Sequence, residues 1–370
     1  MMYRIPVSRP YLSGHEKEYL IDAFDSTWIS SAGKYVSEFE KLFAEFARTE
    51  FAVGICNGTC ALHLALLALN IGPGDEVIVP SLTYIATANA VRYVGAIPVF
   101  ADISPDSWCI DPRCVEDHIT PRTKAIIAVD LYGHPADYDK LMKISAQNGL
   151  YCIEDAAEAH GALYKGRRTG GLADIAAFSF FGNKIITCGE GGALTFNNDA
   201  LHYRVMALRG QGMDPAKRYF FPMIGHNFRL QNLSSAILCG QIKNYPRILK
   251  ERRRVFATYR TALADIPGIS FQPVADYAEI APWMFCIAVE QKRYGRSRDE
   301  LMRHLEDNGV ETRPFFIPIH TLPPYRAFRT EALPVTEQLA ERGMNLPTFP
   351  ELSDDDIGSV AALIREYARR

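Results

Sequence analysis

The sequence predicts an α/β protein: a large domain on a mostly parallel sheet flanked by helices, then a smaller α+β domain. Three observations predict this. Strand-sized apolar runs alternate with helical patterns and are bounded by Gly, Pro and Asp. At 370 residues the chain is longer than one hydrophobic core usually serves. Near residue 240 the alternation gives way to a long charged helical stretch.

Taken in order, FAVGI (51–55) reads as a strand leading into the helical pattern TCALHLALLAL (59–69). EVIVP (76–80) leads into the helical TYIATANAVRYV, and IPVFAD (97–102) follows as the next strand. KAIIAVD (124–130) precedes the helical DYDKLMKISAQNG, and YCIED (151–155) closes that unit. DIAAFSF and GGALTF read as further strands. The charged helix YPRILKERRRVFATYRTALAD then opens a second unit, with a strand at MFCIAVE and two more helical segments. The division is set at 1–245 for the large domain and 246–370 for the small one. The basic cluster KERRR reads as a solvated helix face.

Composition bounds the partners. Hydrophobic residues make up 48% and charged residues 22%, the profile of a globular soluble chain. The net charge is −3 with no basic run, which argues against nucleic acid. MMYRIPVSRP has no secretory signal pattern, and no apolar segment reaches membrane-spanning length. The expectation is a cytoplasmic protein with no membrane partner. The eight cysteines are scattered singly. Cys56, Cys60 and His63 could share a helix face, yet in an apolar helix start they read as packed thiols and a satisfied histidine, not a metal site.

In a parallel α/β sheet, ligands bind beyond the carboxyl ends of the strands. Gly58 and Thr59 open a helix after the first strand, where exposed amides and the dipole suit an anion, or where a simple cap suffices. No G-x-G-x-x-G follows that strand and no P-loop occurs, so a dinucleotide-binding module loses its main support. Tyr84, Asp155, Glu158 and Ser179 also lie at strand ends. In FSFFGNKIITCGEGG, Lys184 stands between an aromatic run and three glycines, a setting no surface lysine needs. One ligand needs all of these parts. A phosphate suits Gly58, Thr59 and Ser179; a flat ring suits Tyr84; a protonated ring nitrogen suits Asp155; an aldehyde suits a lysine. Pyridoxal phosphate has that set. Apolar neighbours lower the lysine pKa, leaving an amine able to act as nucleophile and base.

EDAAEAHG, FSFFGNKIITCGEGG, RGQGMDPAKRY, GHNFRLQNLSSAI, WISSAGKYVSEFE and GPGDEVIVPSLTYIATANAV resemble the DegT/DnrJ/EryC1/StrS family of nucleotide-sugar aminotransferases, across almost the whole chain. The resemblance implies a fold-type I aminotransferase with a seven-stranded sheet, and a homodimer whose sites are shared between subunits. It implies Lys184 as the Schiff-base lysine and Asp155 as the partner of the ring nitrogen. Ser179, Gly58 and Thr59 would hold the phosphate, Tyr84 would stack on the ring, and Glu158 would stand beside the cofactor. Asn227 would reach the phosphate of the neighbouring subunit's cofactor. A lysine at 184, where a dehydratase branch carries histidine, implies amino transfer from L-glutamate, with 2-oxoglutarate leaving, to a nucleotide-linked keto sugar. Glu158, TWISS and RGQGMDP look most like members that aminate C4″ of GDP-4-keto-6-deoxymannose; dTDP- or UDP-linked 3- or 4-keto sugars are the alternative. Arg229 reads as a diphosphate ligand or a structural salt bridge. Trp28 reads as a site residue or a packing one. His320 and Tyr325, in RPFFIPIHTLPPY, read as sugar or nucleotide contacts or as loop packing. A non-catalytic regulator that binds pyridoxal phosphate is the rival class, and the set Lys184, Asp155 and Ser179 argues against it.

Overall fold

The computed structural model describes residues 3–12, 14–328 and 331–368. Five strands come first: β1 (Phe51–Ile55), β2 (Glu76–Pro80), β3 (Ile97–Ala101), β4 (Thr123–Val129) and β5 (Tyr151–Asp155). A short hairpin of β6 (Leu163–Tyr164) and β7 (Arg167–Arg168) precedes β8 (Ile175–Ser179) and β9 (Gly192–Phe196). The main sheet has seven strands in the order β1-β9-β8-β5-β4-β2-β3. Strands β8, β5, β4, β2 and β3 pair in parallel, and β9 runs antiparallel to both β8 and β1.

Both faces of this sheet are buried, as parallel strands require. Alternate residues feed opposite cores: Ile78, Ile126 and Ala128 one side, Val77, Val79, Ala125 and Ile127 the other. On the second side the helix Gly58–Ala68 buries Leu62, Leu64, Ala65 and Leu66. On the first side, the helix Lys34–Ala47 contributes Phe39 and Phe43, whose rings meet Phe178 and Phe180 edge-on at 4.9–5.6 Å.

The second unit holds β10 (Ile269–Phe271), β12 (Phe285–Val289), β13 (Arg313–Pro314) and β14 (Gly343–Leu346) in an antiparallel sheet ordered β10-β12-β14-β13. Strand β11 (Ala278–Glu279) pairs instead with β6, tying this unit to the first. A third core lies between this sheet and the helices Arg298–Asp307 and Asp354–Ala368. The first of these helices starts on a capping box, with Ser297 and Glu300 each bonding the other's backbone N–H. Ile5 belongs to this core and bridges Val310. The two units share one 32-residue helix, Asn232–Leu263. The expected division at 245/246 falls inside it, beside Pro246.

Candidate active site

Three strand ends and one helix start converge. After β1, Asn57 caps the helix Gly58–Ala68, its side-chain oxygen accepting from the Cys60 N–H at 2.8 Å. The first intrahelical bond is Ala61 N–H to Asn57 C=O at 3.0 Å, so the Gly58 and Thr59 amides have no intrahelical partner. Glycine is required here by contact. A Cβ on Gly58 would lie 2.7 Å from Ser179 Cβ, and one on Gly192 would lie 2.5 Å from the Asn57 carbonyl carbon. The helix start is therefore seated directly on the ends of β8 and β9.

Asp155 closes β5 and is buried. Its Oδ2 accepts from Thr87 Oγ1 at 2.9 Å and its Oδ1 from the Ala157 N–H at 3.3 Å. Burial pushes its pKa above the ordinary value, while these bonds and Lys184 pull it down. Glu158 accepts the Tyr132 N–H at 2.7 Å through one oxygen and lies 3.9 Å from Lys184 Nζ through the other. Burial raises it to about 7 against the pull of Lys184. Tyr132 donates from a left-handed conformation, φ 53°, which is rare for an aromatic residue. Its ring is wedged against Phe315 at 4.7 Å and Phe316 at 5.7 Å, and these contacts hold the N–H on Glu158.

Lys184 lies in the turn that follows β8, its own N–H bonded to Phe181 C=O at 2.9 Å. Its amine sits 4.0 Å from the Trp283 ring centre, and Trp283 is fixed by donating to the Asn183 carbonyl at 2.8 Å. Burial lowers the lysine pKa, opposed by Glu158 and Asp155. The result is a partly desolvated amine facing two carboxyl groups.

These groups line one cavity of about 700 Å³. Gly58, Thr59, Tyr84, Asp155, Glu158, Ser179 and Lys184 are all on its wall. The other five residues singled out in the sequence are not. Asn227 is exposed and bridges Gly210. Arg229 bridges Ile55, with its Nε buried and without a partner. Trp28 is 61% exposed, held through its carbonyl by the Asn232 amide. His320 is fully buried, with Nδ1 at 2.7 Å from Ser81 Oγ and Nε2 at 3.0 Å from Glu337. Tyr325 is buried and donates its hydroxyl to Asn89. For His320 and Tyr325 the geometry here is that of loop packing.

The wall also holds residues the sequence reading missed: Thr87, Tyr132, Asn183, Trp283, Arg313 and Asn345. Thr87 had a usable signal, since it follows Tyr84 by three positions at a helix start. Arg313 opens the very loop, RPFFIPIHTLPPY, from which only His320 and Tyr325 were drawn.

A profile of the DegT/DnrJ/EryC1/StrS aminotransferase family matches residues 10–365. A GDP-perosamine synthase of Caulobacter vibrioides is 46% identical over 98% of this chain and 97% of its own length. Among solved structures, DesI in the presence of its TDP-sugar product superposes with a TM-score of 0.94 at 37% identity, covering 100% of this chain and 94% of that one. The PLP-form of a putative sugar aminotransferase, Spr1654 from Streptococcus pneumoniae, superposes with a TM-score of 0.93 at 27% identity over 99% of both chains.

Proposed function

The chain belongs to the DegT/DnrJ/EryC1/StrS aminotransferase family, and we propose that it moves an amino group from L-glutamate to the 4-keto carbon of GDP-4-keto-6-deoxymannose, giving GDP-perosamine. The observation that carries the substrate is the 46% identity to a GDP-perosamine synthase along nearly the full length of both chains.

The cavity fits pyridoxal phosphate on its own chemistry. The Gly58–Ser179 junction leaves no room for a Cβ, and the open Gly58 and Thr59 amides at a helix start suit a phosphate. Asp155 is a buried acceptor for a protonated ring nitrogen, and Tyr84 offers a ring at the cavity wall. When bound, the cofactor supplies an aldehyde that carries the amino group and a ring that accepts the electrons of a breaking C–H bond.

The chain's own residues supply the rest. Lys184 Nζ would hold the cofactor aldehyde, being the amine on the cavity wall. As a free amine it would take the proton from the α-carbon of glutamate and, in the second half-reaction, deliver one to the sugar carbon that gains the amine. Burial lowers its pKa, which favours the neutral amine that this task requires. Thr87 orients the Asp155 carboxylate by donating to Oδ2, and the Tyr132 N–H orients Glu158 beside the lysine. The Trp283 ring covers the amine, and the Lys184 side chain is only 11% exposed to water. We also propose a homodimer with shared sites: Asn227 is absent from its own cavity wall, and in the partner it would face the cofactor phosphate.

The test is a panel of nucleotide-linked keto sugars offered with glutamate, product being read by mass. GDP-4-keto-6-deoxymannose should be aminated at C4″ with at least about tenfold higher kcat/KM than TDP- or UDP-linked 4-keto sugars. A TDP-linked sugar turning over faster would overturn the assignment.

A further inference from the structure

The charge on the cavity wall does not match the ligands proposed for it. Among the described lining residues the acids are Asp155, Glu158 and Glu190, and the bases are Lys184 and Arg313. Yet the cofactor phosphate, the donor's two carboxylates and the sugar's diphosphate are all anions. The helix start at Gly58 and Thr59 answers the cofactor phosphate. Lys184 is committed to the reacting carbon. Arg313 is the cation left over.

Its geometry leaves it available. Arg313 and Pro314 form the edge strand β13, with Arg313 in register opposite Asn345, which also lines the cavity. The arginine side chain is 48% exposed, and its Nη2 reaches Glu311 Oε1 only at 3.8 Å, beyond hydrogen-bond distance. The other oxygen of Glu311 accepts the Val7 N–H at 2.8 Å. The strand itself is braced: Phe315 N–H bonds Gly343 C=O at 3.0 Å, and Phe316 stacks on Tyr132, the residue that holds Glu158 beside Lys184. A planar fork of donors on a fixed strand suits a carboxylate bidentately.

We propose that Arg313 binds the carboxylate on the reacting carbon of the amino donor in the first half-reaction. This rests on glutamate being the donor. The two substrates use the cavity in turn, and they carry their charge at different places. In glutamate a carboxylate is bonded to the reacting carbon itself. In the sugar the diphosphate hangs from C1, across the ring from the reacting C4. A cation on the segment that leads into Phe316, whose ring stacks on the Tyr132 that holds Glu158, therefore meets the donor more directly than the diphosphate.

The half-reactions separate the cases. Holoenzyme is mixed with glutamate alone, or with GDP-perosamine alone, and the cofactor absorbance is followed; 2-oxoglutarate binding is measured by calorimetry. Arg313→Met should lower the second-order rate constant with glutamate by about 10- to 100-fold, the effect of one charge-assisted pair, and weaken 2-oxoglutarate similarly. Arg313→Lys should recover part of the loss, having the charge without the fork. The GDP-perosamine arm should change by less than about threefold. An unchanged glutamate arm, an equal loss in both arms, or a loss confined to GDP-perosamine each overturns the assignment. If wild-type enzyme fails to respond to GDP-perosamine, the proposed substrate is wrong, while the glutamate arm still tests Arg313.

Discussion

Glu158 lies 3.9 Å from the Lys184 amine, with its other oxygen held by the Tyr132 N–H. Burial raises its pKa from 4.5 to about 7, so between those values the folded chain keeps a proton that the unfolded chain releases. Stability contributed by this group is fully present below about pH 4.5 and is lost as pH rises through about 7, on the order of 3 kcal/mol in all. Glu158→Gln keeps an acceptor for the Tyr132 N–H and carries no charge. In cofactor-free protein, the variant should gain stability over wild type between about pH 5 and about pH 8 by on the order of 2 kcal/mol, read from denaturant midpoints. A gap that is the same at both pH values would show that Glu158 is not buried as a neutral acid. The contrast with Tyr132 shows what single residues reveal in sequence. Asp155, Ser179 and Lys184 were legible because strand ends can be read from apolar runs and their terminators. Tyr132 contributes a backbone N–H from an unusual φ, and no residue type encodes that. For His320 the sequence left sugar contact and loop packing open, because its burial depends on Ser81 and Glu337, far away in sequence.

At the scale of elements, the strands of the main sheet were legible almost to the residue. FAVGI, EVIVP and YCIED coincide with β1, β2 and β5, because strands buried on both faces read as continuous apolar runs bounded by turns. The helix across the two units was not. Proline lacks an N–H and clashes with the preceding turn, so Pro246 reads as a start, not an interior position. The helix runs through it from Asn232 because both sides are packed, Ala236, Leu238 and Cys239 in the main core and Val255, Tyr259 and Leu263 in the third. Tertiary burial outweighs the one lost bond. The junction between β8 and the helix Gly58–Ala68 gives an element-scale prediction. Gly58→Ala drives a Cβ to within 2.7 Å of Ser179 Cβ, so the helix start must move off the strand ends. Overpacking of this kind costs roughly 1–3 kcal/mol, and it falls on the amides assigned to the phosphate. Pyridoxal phosphate titrated into the cofactor-free variant should bind about tenfold more weakly or worse, while the variant's thermal transition stays cooperative. Wild-type affinity in Gly58→Ala would remove the phosphate from this helix start.

For the whole molecule, the telling feature is apolar surface without cover. Trp28 is 61% exposed, Tyr219 73% and Ile224 92%, and the last two lie in the segment that leads to Asn227. Large exposed apolar side chains are what a partner surface requires. The proposed homodimer makes the matter testable through Asn227, because a closed two-fold interface places the same residues of each chain beside the other's site. Asn227→Ala and Lys184→Ala should each inactivate their own homodimers, the first through weaker cofactor binding and the second through loss of the amine. Mixed dimers then read out which subunit Asn227 serves. If it acts across the interface, one site of the heterodimer carries both lesions and the other carries neither, so about half the wild-type activity per dimer returns. If it acts within its own chain, every site carries one lesion and mixing restores nothing. With heterodimers verified by mass, recovery to about half places Asn227 on the partner's cofactor, and no recovery confines it to its own subunit.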